Sequence, residues 1–75
     1  MNFEEKLEEL GFEYSMETYD FFTKQIKKRY SKRYNDFFGH IFVCEGKIVE
    51  IIGKHIIEMQ KDLEELRKYE SRTNL

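Results

Sequence analysis

The stretch METYDFFTKQIKKRYSKRYNDFF, residues 16–38, mixes aromatic and basic residues and contains neither proline nor glycine, the next glycine being Gly39. Its apolar members Met16, Tyr19, Phe22, Ile26, Tyr30, Tyr34 and Phe37 follow one another in steps of three and four. Steps of that size gather side chains on one face of an α-helix. Ser15 or Thr18 supplies a cap and Gly39 a stop, so the spacing predicts a long second helix ending at Phe38.

Upstream, Asn2 with Glu5 three residues on forms a capping-box pattern, and Phe3, Leu7 and Leu10 keep helical spacing up to Gly11. A short first helix near 3–10 is expected. Downstream, HIFVCEGKIVEII is dense in β-branched and aromatic residues and is interrupted by Glu45-Gly46, which predicts a hairpin with strands near 40–44 and 47–52. A two-residue turn sets Phe42 opposite Val49 on the side of His40 and Ile51, and Val43 opposite Ile48 on the side of Ile41 and Ile52. A last helix from 54 to about 69 carries Ile56, Met59, Leu63 and Leu66 as its stripe.

The predicted architecture is therefore a single small α+β domain over 1–70, ordered helix, helix, β-hairpin, helix, with 71–75 a frayed tail. The competing reading is an all-α bundle in which 47–70 is one continuous helix, because Ile48 and Ile52 extend the same stripe. Gly53 and the crowding of Ile and Val weigh against it.

Size leaves room for one core only, in a chain of 75 residues. The lone Cys44 has no partner for a disulfide and no CxxC company, which fits a reducing, cytoplasmic setting. No apolar run is long enough for a membrane span or a signal peptide. Ala, Pro and Trp are absent while Lys, Glu, Ile, Phe and Tyr abound, the usage of an AT-rich coding sequence, which points to an AT-rich bacterium, archaeon or virus and is compatible with a phage or mobile-element gene. Aromatic residues make up 16% of a chain that is 37% charged, more apolar bulk than a disordered segment holds.

The net charge of -2 hides a segregation: residues 1–20 hold seven acids and one lysine, whereas residues 21–35 hold six bases and no acid. On a helix, Lys24, Lys28 and Lys32 would line up opposite the apolar stripe, flanked by Arg29 and Arg33, with Phe21 among them. Such a face reads as a solvated surface matched to the helix dipole, as a protein-docking face, or as a phosphate-binding face. The helix would turn Tyr30 and Tyr34 away from the lysines, which disfavours nucleic acid.

Chemistry-bearing residues are sparse. His40 and Cys44 on one strand stand about 13 Å apart, too far to share a zinc ion. Glu50 and His55 sit in no catalytic motif, and no glycine-rich phosphate loop exists. No metal, cofactor or small-molecule substrate is expected. The sequence predicts a non-enzymatic protein-interaction module, a regulator, adaptor or inhibitor of a larger cytosolic protein, docking through Phe21, Lys24, Lys28, Arg29, Lys32 and Arg33. A homodimer through Phe42, Val49, Ile51, Ile57 and Tyr69 is a further expectation, because both faces of the hairpin are apolar. The alternative is a nucleic-acid-binding regulator using the same basic band.

Overall fold

The computed structural model describes residues 1–70, so the expected tail at 71–75 lies outside the described residues. The chain opens with α1 (Phe3–Glu9), held by the predicted capping box: the Glu5 amide donates to the Asn2 side chain at 2.8 Å and the Asn2 amide to Glu5 at 2.9 Å. Gly11, at φ +95°, ends it: the Gly11 amide donates to the Glu8 carbonyl and the Phe12 amide to the Leu7 carbonyl. This paired 5→2 and 6→1 bonding is a Schellman close, and it buries Phe12 against the core with Leu7.

The second helix does not form. Residues 16–38 instead belong to β1 (Glu13–Asp20), β2 (Gln25–Tyr34) and the start of β3 (Phe37–Cys44), and β4 (Lys47–Ile52) completes an antiparallel sheet in the order β1-β2-β3-β4. The chain closes with α2 (Ile57–Arg67). The domain is α+β, in the order helix, four-stranded sheet, helix, which corrects the predicted helix-helix-hairpin-helix order and removes the all-α alternative.

The reason lies in the spacing. Tyr30 and Tyr34 are four apart, and an even step keeps two residues on one face of a strand as well as of a helix. Pairing then settles the matter: Tyr30 stands opposite both Tyr14 and Ile41, and Tyr34 opposite Phe37. Tyr19 and Ile26, expected two turns apart on one helix, are cross-strand partners around the bend. Gly39, expected as a helix stop, is buried in mid-β3, where a Cβ would lie 2.6 Å from Met59 Sδ and 2.9 Å from the Tyr34 ring.

The predicted β3–β4 hairpin does form. Glu45 and Gly46 both take positive φ, +52° and +75°, as a two-residue turn matched to the strand twist requires. Val43 faces Ile48 as expected, but an irregularity between Phe42 and Val43 sets Phe42 opposite Glu50 instead of Val49. That one-residue shift moves Ile51 opposite Ile41, on the core side, and Ile52 opposite His40.

Both helices cover one face of the sheet. Leu7, Phe12, Ile41, Met59 and Leu66 are fully enclosed there, with Tyr30, Tyr34, Val43, Ile56 and Leu63 around them. The predicted stripe of the last helix is the observed one. No described helix is long and apolar enough to cross a membrane.

Candidate binding interface

β2 and β3 alternate their side chains across the sheet. Tyr30, Tyr34, Ile41 and Val43 point to the helices, so the residues between them point to the face that carries no helix. On that open face Arg29 stands opposite Phe42, Ser31 opposite His40 and Arg33 opposite Phe38. The result is two adjacent rows, arginine-serine-arginine beside phenylalanine-histidine-phenylalanine.

The rows are held by few contacts. The Arg29 guanidinium donates to Ser15 Oγ at 2.9 Å, and Arg33 Nε to the Asn35 carbonyl at 3.0 Å. Neither guanidinium meets a carboxylate among the described residues. Ser31 Oγ and His40 Nδ1 share a hydrogen bond of 2.7 Å, and the His40 ring lies within 14° of parallel to Phe38 with centroids 6.3 Å apart. Phe38 is 58% exposed, so most of its ring is free for another flat group. A groove of about 420 Å³ opens beside the rows, lined by Ser15, Ser31, Arg33 and Phe38 among others.

Toward the β1–β2 bend the face changes character. Lys27 Nζ bonds Asp20 at 2.9 Å and lies 4.0 Å from Glu50. The Lys27 bond, with the Phe22 and Thr23 amides donating to the same carboxylate, lowers the Asp20 pKa to about 2. Lys27 is raised in turn, chiefly by that bond to Asp20.

The residues expected to form one docking face are thus distributed over three places. Arg29 and Arg33 lie on the open face. Lys28 and Lys32 lie on the helix side, where Lys32 Nζ reaches Asp62 of α2 at 2.7 Å. Phe21 and Lys24 belong to the bend, with Phe21 81% exposed and edge-on to Tyr19 at 4.9 Å. The five residues expected at a dimer surface do not share a face either. Phe42 is on the open side and Val49 is exposed near it, but Ile51 and Tyr69 pack on the core and Ile57 is exposed at the start of α2.

Reading the sequence overlooked Phe38, His40 and Ser31 as partners of the arginines. The signal was the period of two in FFGHIFVC, where Phe38, His40 and Phe42 alternate with Gly39, Ile41 and Val43, and it emerges once the strand is begun at Phe37. His55 rests edge-on against Phe37 at 5.9 Å, and Cys44 is buried as a free thiol. No group of three or more potential metal ligands occurs among the described residues. The chain matches no protein-family model, no curated protein and no solved structure.

Proposed function

We propose that this protein is a small non-enzymatic interaction module of the cytosol, a regulator, adaptor or inhibitor that lays the helix-free face of its sheet against a larger partner. The observation that carries this reading is the pair of unmatched guanidiniums, Arg29 and Arg33, beside the Phe38, His40 and Phe42 row. Arginine and aromatic side chains are the residue types that dominate docking energies. A row of three rings on the helix-free face also needs a reason, because a sheet face that meets only water is ordinarily polar. The cytosolic setting is supported by the single unpaired Cys44.

The test is capture from an extract with immobilised protein, comparing the wild type with Arg29→Glu combined with Arg33→Glu. Both side chains point away from the core, so melting temperature should stay within a few degrees while the captured partner is lost. Equal capture by both proteins, in a folded variant, would refute docking through this face.

A further inference from the structure

We propose that the occupant of the open face is single-stranded nucleic acid, its bases stacked on Phe38, His40 and Phe42 and its phosphates met by Arg29 and Arg33. This rests on the reading of that face as the docking surface and names its partner.

The first ground is repetition. Rings on alternate residues of β3 stand roughly 6.6 Å apart along the strand, and each has a hydrogen-bonding residue of β2 directly beside it. A single strand presents the same alternation, one flat base and one phosphate per unit, and such strands bind on aromatic platforms tracked by cationic side chains. The near-parallel Phe38 and His40 rings already offer one continuous stacking surface.

The second ground is charge. The chain is acidic overall, but Glu4, Glu5, Glu8 and Glu9 of α1, and Glu58, Asp62, Glu64 and Glu65 of α2, belong to the helices on the other face of the sheet. At physiological salt, charges are screened over about 8 Å, so a ligand on the open face responds mainly to what that face carries. Asp20, Glu50 and Glu13 do lie on it: Lys27 sits within 4.0 Å of the first two, and Glu13 stands opposite Ser31 without an ion pair to either arginine. Arg29 and Arg33 hold no carboxylate in direct contact among the described residues, so both guanidiniums can turn to a phosphate.

Other occupants fit less well. A second copy packed face to face would repeat the same patch on both sides, so that any arginine near the two-fold axis would meet its own copy. A protein partner would have to place a carboxylate against each guanidinium it buries, whereas every nucleotide of a strand brings its own phosphate. A duplex keeps its bases stacked inside and offers a flat sheet nothing to stack on.

Fluorescence anisotropy with labelled oligo-uridine, oligo-thymidine and a duplex of the same length tests the proposal on the intact chain. Both single strands should bind more tightly than the duplex, and their ratio separates an RNA from a DNA ligand. Two phosphate contacts predict an affinity falling about sevenfold between roughly 50 and 200 mM salt. Phe38→Ala should weaken binding about tenfold and Phe38→Tyr should retain it, since stacking needs only the ring. Arg29→Glu with Arg33→Glu should abolish binding and, judged by circular dichroism, keep the fold. No binding by the wild type, a preference for the duplex, or affinity indifferent to both the arginine and the Phe38 changes would overturn the proposal. If the oligonucleotides fail but a nuclease-treated extract yields a protein captured by the wild type and not by the arginine variant, the nucleic-acid assignment falls and docking through the face stands. If nothing captured depends on the face, both fall.

Discussion

One oxygen, Asp62 Oδ2, accepts from Lys32 Nζ at 2.7 Å and from the Tyr34 hydroxyl at 2.6 Å, tying β2 to α2 at the margin of the core. Burial first, and then the bond to Asp62, pushes the Tyr34 hydroxyl above its ordinary range, so it stays a neutral donor. Lys32 also lies over the Phe12 and Tyr34 rings, at 5.6 and 4.9 Å. Its charge is therefore structural, whereas Lys28, on the same side of β2, is exposed. Lys28→Glu should leave stability within about 0.5 kcal/mol. Lys32→Glu would set two carboxylates together and strand the tyrosine, costing about 2 kcal/mol or more, and Asp62→Ala should cost about 1–3 kcal/mol. Urea denaturation of the three variants checks the order. Gly39 is a second single-residue constraint, for any side chain there meets Met59 and Tyr34 inside contact distance. Gly39→Ala should lose about 1–3 kcal/mol by overpacking, and an unchanged urea midpoint would show that Met59 moves aside freely.

Among the elements, α1, the β3–β4 turn and α2 were legible because each carries a local signal that admits one structure: the Asn2–Glu5 box, Glu45-Gly46, and a stripe too long to alternate. The β1–β2 hairpin was not. Its apolar steps of four satisfy both periods, its long lysines cover apolar surface without declaring a face, and its bend lacks glycine, proline and asparagine. The bend is closed instead by Asp20, whose carboxylate accepts from the Phe22 and Thr23 amides, with Lys24 in the left-handed region at φ +58°. Half of the proposed binding face was lost with it, since Arg29 stands opposite Phe42 only if β2 is a strand. Because Asp20 titrates lower in the folded chain, its contribution is complete above the unfolded value near 3.9 and is lost as pH falls through about 2. Carboxyl carbon shifts followed by NMR should place the Asp20 midpoint near that lower value, and Lys27→Met should raise it toward the ordinary range. Phe21 and Phe22, 81% and 99% exposed at this bend, contribute little to the core. Replacing both with Ser should leave the melting temperature nearly unchanged, and a drop of many degrees would mean that the bend packs against something.

At the scale of the whole molecule, two helices far apart in the sequence supply the cover for the sheet among the described residues, and they touch each other as they do so. Leu7 on α1 and Leu66 on α2 are both fully enclosed in one cluster, although almost 60 residues separate them, so the two ends of the described chain share a core. A domain of this size holds roughly 4–11 kcal/mol of stability in total. Leu7→Ala or Leu66→Ala should each remove about 2–5 kcal/mol of it, because both side chains are fully enclosed and truncation leaves a cavity. Since that cover is shared, the two losses should not appear as local fraying of one helix. Helical circular dichroism and tyrosine fluorescence should fall together in one transition for each variant, at a lower urea midpoint than the wild type. Tyrosine fluorescence is the probe of the sheet, because Tyr30 and Tyr34 sit in β2 under the helices. A variant that lost helix signal while the tyrosines kept their native environment would show that α1 or α2 docks as an independent piece, and that the sheet holds its open face in place without them.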